Sequence, residues 1–244
     1  MIQLEGTYQG KNLYVQNPFS PNGVGFCVTE VLVNDQITTD ETGSSAFEID
    51  LRNFNLKTGD PVMVKIFHKD GCKPKVLNPE VLKPKSTFEV TIMEVNKTDA
   101  GAALHWVTVG EKGKLDFVIE QFRWNKWVKV GETGGIGTTG PNSYNIKVPP
   151  NSGQNTFRVK QLDYTGQARI SKTVIYTSDV KPISFSPVKV KEGITLTGET
   201  LYEVYDQYGS IVKKGEGVFV DAQSLKKGGY FLNYDNTTGE FFKL

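Results

Sequence analysis

Histidine is almost missing from this sequence. Only His68 and His105 occur in 244 residues, so acid–base chemistry near neutral pH has two candidates, and each sits in a run that alternates like a strand. Cysteine is as scarce, with Cys27 and Cys72 alone. Their even number suits one disulfide in an oxidising compartment and equally suits two reduced, buried small hydrophobes. Long apolar runs are lacking, which excludes a membrane-spanning helix. Met1 to Lys11 has neither the basic start nor the apolar stretch of a leader peptide, so the chain is expected to be soluble as given, as the mature form of an exported precursor would be. A surplus of either charge is lacking too: 28 Lys and Arg stand against 27 Asp and Glu. Without a net field there is no attraction for nucleic acid or for an anionic membrane surface, and protein partners or none are the expectation.

What is present is turn and strand chemistry. There are 25 glycines and 11 prolines, and aromatic residues make up 11%; with runs of Val, Ile, Thr, Tyr and Phe they point to strands and tight turns. Two stretches carry proline among lysines and serines and cannot continue a sheet ladder: Glu80 to Ser86, around Pro84, and Ser178 to Pro182. The expected fold class is all-β, three tandem small β-sandwich domains of the immunoglobulin or fibronectin III kind, over residues 1–84, 87–179 and 182–244.

In the first piece Phe47, Ile49 and Leu51 alternate with Glu48, Asp50 and Arg52, and Val62, Val64 and Ile66 with Met63, Lys65 and Phe67, as strands with one buried face do. The second piece shows strands around Leu104 and Trp106, Phe117 and Ile119, Trp127 to Val130, Tyr144 to Val148 and Phe157 to Leu162. The turn Asp163 to Gly166 is expected to join Phe157 to Leu162 to a strand over Ser171 to Tyr176. The third piece reads as six or seven very short strands, among them Thr195 to Thr197, Leu201 to Tyr205, Ile211 to Lys213 and Val218 to Val220. At this size it is expected to need a neighbour for stability.

Candidate chemistry is thin. No Gly-x-Ser-x-Gly elbow occurs, and Cys72 near His68 is the nearest thing to a nucleophile–base pair, read as a turn cysteine beside a strand histidine. Gly131 to Gly140 lacks the Gly-Lys-Thr ending of a phosphate cradle and reads as a flexible loop. Asp35 to Glu41 matches no calcium loop. No catalytic residue, metal ligand or cofactor is assigned. For protein docking the candidates are Lys189, Lys191, Lys213, Lys214, Lys226 and Lys227, which also read as edge-strand lysines that discourage pairing, and Trp124. Alternation places Phe122 and Trp124 on one sheet face, with Trp127 shifted by a bulge to the other.

Two resemblances follow from longer runs. Leu104-His105-Trp106, Phe117-Val118-Ile119-Glu120, Trp127 to Gly131 and above all Phe157 to Gly166 resemble the fibronectin type III-like module of exported Bacteroidetes proteins. Tyr202 to Gly215, Val220-Asp221, Ser224 to Leu232 and Phe241 to Leu244 resemble the C-terminal signal domain of type IX secretion. Phe185-Ser186-Pro187-Val188 stands where that family usually has Pro-Asn-Pro. Residues 1–84 resemble an immunoglobulin-like or transthyretin-like export module in shape. The resemblance implies a non-enzymatic periplasmic subunit of the type IX system, associated with the outer membrane, that plugs or gates the translocon pore. Its implied partners are the large outer-membrane barrel and associated secretion subunits. The alternative is a small surface protein or adhesin, found at the cell surface or secreted, exported by its own last domain.

Overall fold

The computed structural model describes residues 1–99 and 101–244. The chain is all-β: among the described residues there is no α-helix, only two short 3-10 turns at Leu51–Phe54 and Pro79–Leu82.

The first segment holds β1 (Ile2–Thr7), β2 (Leu13–Gln16), β3 (Val28–Val33), β4 (Gln36–Ile37), β5 (Ala46–Ile49), β6 (Pro61–His68) and β7 (Lys75–Val76). They form two facing sheets, β1-β6-β3-β4 and β5-β2-β7. The inward residues of the alternating runs, such as Leu13, Val31, Ile49, Val64 and Ile66, are fully buried together because a period of two sends every second side chain to the same face. Asn34 and Asp35 both have positive φ, which closes the β3–β4 hairpin with the twist that adjoining strands require. Leu82, inside the stretch that reads as a linker, belongs to this core, and the main chain at Gly6 lies so close to it that a Cβ there would sit 2.4 Å from the Leu82 carbonyl oxygen. The first connection is therefore a strap bound at its N-terminal end.

The second segment holds β8 (Glu89–Thr98), β9 (Gly101–Val109), β10 (Phe117–Arg123), β11 (Lys126–Thr133), β12 (Asn142–Val148), β13 (Gly153–Leu162), β14 (Ala168–Ile170) and β15 (Val174–Ser178). The sheet β12-β9-β8 faces the sheet β11-β10-β13, and β14 and β15 share the remaining edge of β13. The turn at Asp163 to Gly166 thus leads into a return strand broken in two, rather than one strand over Ser171 to Tyr176, because residues 171–173 leave the ladder between two pairings with the same neighbour. Trp106 is fully buried, stacked on Tyr144 at 5.0 Å and edge-on to Phe117 at 5.7 Å.

The third segment differs most from its sequence reading. Its strands are β16 (Phe185–Ser186), β17 (Lys189–Val190), β18 (Gly193–Asp206), β19 (Ile211–Asp221), β20 (Gly228–Tyr234) and β21 (Thr237–Lys243). The pieces read as separate short strands merge into β18 and β19, of 14 and 11 residues. One sheet of order β16-β18-β20-β21-β17, with β19 on the other edge of β18, folds over itself around Ile194, Val204, Val220 and Leu232. The β18–β19 register breaks between Thr195 and Thr200, beside Gly217 at φ +141. Lys213 reaches Asp221 on its own strand, with Nζ to Oδ2 at 2.8 Å, although eight residues of straight strand span about 26 Å. Hence β19 bends sharply, and that bend turns one sheet into two layers.

Candidate docking surface

Trp124 does not lie on a sheet face. It and Asn125 occupy the tip of the β10–β11 hairpin, with φ of 48° and 60°. Phe122, not Trp124, is the residue paired across the strands with Trp127, and those two rings meet at 5.3 Å on one face. Alternation failed here because it assumes a continuing strand, and the turn intervenes one residue earlier. A bulky side chain in the left-handed region costs about 1–3 kcal/mol, so packing must hold it there. The third sandwich lies across from it: Trp124 lines a hollow with Tyr202, Glu203, Lys214 and Gly215.

Around that tip the second and third sandwiches share a buried polar network. Asp235, 2% exposed, accepts from the main-chain N–H of Ser152 at 2.8 Å, the Ser152 hydroxyl at 2.5 Å and the N–H of Ile183 at 3.2 Å. Lys126 donates to Glu203 at 2.6 Å and to the Tyr205 hydroxyl at 2.8 Å. Arg123, also 2% exposed, donates to Gln121 and to the Pro149 carbonyl, while its Nη1 has no partner among the described residues. Burial lowers the Arg123 pKa to about 10, against the pull of Asp235 and Glu216. A buried guanidinium with open valence needs nearby carboxylates, and the third sandwich supplies both.

The six candidate lysines do not form one face. Lys213 sits directly opposite the buried Val204 and points inward to Asp221, a charge turned into the sandwich edge. An inward-turned charge and a bend such as that at Gly217 are features that discourage an edge strand from pairing with a foreign one. Lys214 stands across from Glu203 beside Trp124. Lys189 opens β17 and Lys191 follows it, and Lys226 and Lys227 precede β20, at the far end of the sheet. There the outer surface is apolar: Val188, Phe231 and Phe242 are 59, 41 and 49% exposed around a hollow of about 390 Å³. This patch was not read from the sequence, although the alternation in Tyr230-Phe231-Leu232 and in Phe241-Phe242 signals it, one aromatic facing in and the next out.

Cys27 and Cys72 are joined in a disulfide with a Cα separation of 5.6 Å, so Cys72 has no thiol to offer His68. His68 Nε2 lies 2.9 Å from the N-terminal amine, and His105 lies between Glu94 and Ser143. The glycine-rich loop is pinned rather than flexible. Buried Glu111 accepts from the Gly137 N–H at 2.7 Å, the Tyr144 hydroxyl and the Thr108 hydroxyl, and a Cβ at Gly137 would stand 2.6 Å from the Gly113 carbonyl carbon. On the outer face of β10 and β13, Glu120 is bonded to Arg158 and Lys160, and the Arg158 guanidinium lies 3.9 Å from the Trp127 ring centre. Burial raises the Glu120 pKa, but hydrogen bonds from Lys160 and Arg158 outweigh it, and the net shift is downward. Among the described residues no group of three or more His, Cys, Asp or Glu side chains is placed to hold a metal ion.

No family model and no curated protein matches the chain. Among solved structures it is similar to a four-repeat segment from the extending region of a large adhesion protein, at 13% identity and TM-score 0.34, covering 99% of this chain and 73% of that one. It is also similar to the BSP domain of a biofilm-associated protein, at 9% identity and TM-score 0.21 over 100% of this chain and 81% of that one. A third likeness, to a GH2 beta-galacturonidase from Eisenbergiella tayi bound to glycerol, has 10% identity and TM-score 0.24 over 82% and 38%. Likenesses this distant carry no argument about activity. The class the fold defines is a tandem β-sandwich protein.

Proposed function

We propose that this chain is a non-enzymatic periplasmic subunit of the type IX secretion system, associated with the outer membrane, which occupies or gates the translocon pore with its last sandwich. The residue runs in the second and third sandwiches that resemble type IX modules support this reading. One structural observation favours a retained subunit over a cargo relieved of its last domain: that domain shares Asp235 and the Trp124 hollow with the second sandwich. Cutting it away would bare a strained tryptophan and a buried arginine, at a cost of several kcal/mol in the part left behind.

The test is to tag the chain in its native cell, purify it from detergent extract and identify what co-elutes. The expected result is the intact chain with a large outer-membrane barrel, and a leakier outer membrane when the chain is deleted. Recovery outside the cell with the last sandwich removed would sink the proposal in favour of an exported surface protein.

A further inference from the structure

The outer face of β20 and β21 has a feature that a solvent-facing sheet does not need. Gly229 pairs with Phe242, and the position its Cβ would occupy has no atom within 4 Å. Its φ is not in the left-handed region, so the backbone itself does not call for glycine here. The absent side chain instead leaves a socket in the sheet, with main chain for a floor and the exposed rings of Phe231 and Phe242 beside it. Val188 closes the side next to β17. Holding these apolar groups in water is unfavourable unless something covers them, and grouped apolar exposure around a hollow marks a binding site.

The charges around the socket narrow the occupant. Lys189 lines it, and the pairing of Val190 with Lys243 and of Gly228 with Lys243 brings Lys191 and Lys227 to the same end of the sheet. Lys226 lies next to it, its carbonyl accepting from the Tyr230 hydroxyl at 2.9 Å. None of these four lysines forms an ion pair among the described residues, in contrast to Lys213 and Lys126. Among the lining residues Glu240 is the one carboxylate. An apolar socket with a positive rim selects an apolar anchor flanked by negative charge.

We propose that the Gly229 socket binds a protein segment in which one aromatic or large aliphatic side chain is flanked by acidic residues, the side chain entering between Phe231 and Phe242 and the carboxylates meeting Lys189, Lys191 and Lys227. This rests on the reading of the last sandwich as a docking module and names the chemistry of its partner.

The experiment uses the full-length chain and a fluorescent peptide with one tryptophan between two pairs of glutamates. Two control peptides carry alanine for the tryptophan or lysines for the glutamates. Saturable binding of the first peptide is expected, weakened about tenfold or more in either control and falling as salt is raised. Gly229→Leu fills the socket from its own floor, where the added Cβ meets no atom within 4 Å, so its melting curve should match the parent while peptide binding is lost. Reversing Lys189, Lys191 and Lys227 to glutamate should shift preference to the lysine peptide. Undetectable binding of the acidic tryptophan peptide, equal binding by the Gly229→Leu chain, or indifference to peptide charge would each overturn the proposal. So would concentration-dependent self-association abolished by Gly229→Leu, which would make a second copy the occupant. Recovery of the outer-membrane barrel with both parent and Gly229→Leu chains would overturn the socket as its contact and leave the secretion role standing. Peptide binding without any barrel would do the reverse.

Discussion

The second and third sandwiches meet through buried charge and a tryptophan, whereas the first and second meet through glycine. At the former junction Arg123, Asp235, Lys126 and Trp124 interlock. At the latter, Gly113 lies where a Cβ would stand 2.8 Å from Pro84, Gly59 where one would stand 3.1 Å from the Gly137 carbonyl oxygen, and Gln9 donates to the Lys112 carbonyl at 2.5 Å. Close backbone approach is intolerant of added atoms but involves few desolvated groups. Buried ionic contact is costly to break from either side, because each partner left behind is an unsatisfied charge. The difference teaches that the last two sandwiches are expected to act as one body, whereas the first is joined to them by close backbone fit and little polar contact.

The largest expected effect separates the bodies. The Cys27–Cys72 bridge closes a loop of 45 residues within the first sandwich, and replacing both cysteines with serine should destabilise that sandwich by about 4 kcal/mol through unfolded-chain entropy. In calorimetry one transition should move down while that of the second and third sandwiches holds; a common shift would show the first junction to be as strong as the second.

Next in size, Asp235→Ala leaves three donors without an acceptor and Arg123 with Glu216 as its one remaining nearby carboxylate. A loss of about 3 kcal/mol is expected, with the last two sandwiches melting apart where they had melted together. If they still melt as one, the interlock does not hold them. Gly137→Ala should cost about 2 kcal/mol from strain at positive φ and contact with Gly113. It should alter the small-angle scattering profile by loosening the first junction only.

The smallest effect is a pH dependence. Burial pulls the Lys126 pKa down, but the hydrogen bonds it donates to Glu203 and Tyr205 outweigh it and raise the pKa overall. A raised folded-state value means that the stabilisation is fully present below the ordinary lysine value of about 10.4 and is lost as pH rises through the higher one. The midpoint of the second and third sandwiches should therefore fall in strong alkali, and the fall should shrink in Lys126→Met. Glu120 behaves oppositely. Its lowered pKa stabilises above the ordinary carboxylate range and the benefit is lost as pH falls through the depressed value, independently of either junction.

Much of the fold was legible because it depends on period. The alternations around Phe47, Val64 and Phe117 assign an inner and an outer face without reference to any other part of the chain, and Asn34-Asp35 sits at a true hairpin turn. Reading failed where a residue's role depends on what lies across space. The Gly131 to Gly140 loop seemed flexible because Glu111, which pins it, gives no local sign of doing so. The third sandwich seemed a set of short strands because Gly198 and Gly217 punctuate the sequence like turns, whereas β18 and β19 continue past them, their pairing broken after Thr195 and resumed at Thr200 and Gly217.

The candidate site divides the same way. Lysines at strand edges and an unusual aromatic load are visible in the residues themselves. Which lysine points inward, which tryptophan sits at a hairpin tip and where a glycine opens a socket were settled by tertiary structure. By itself the sequence determined the all-β class and the buried face of each regular strand, because both follow from local geometry of period two. Only the folded chain decided the disulfide, the welding of the last two sandwiches and the apolar hollow, because each joins residues whose separation along the chain says nothing of their distance in space.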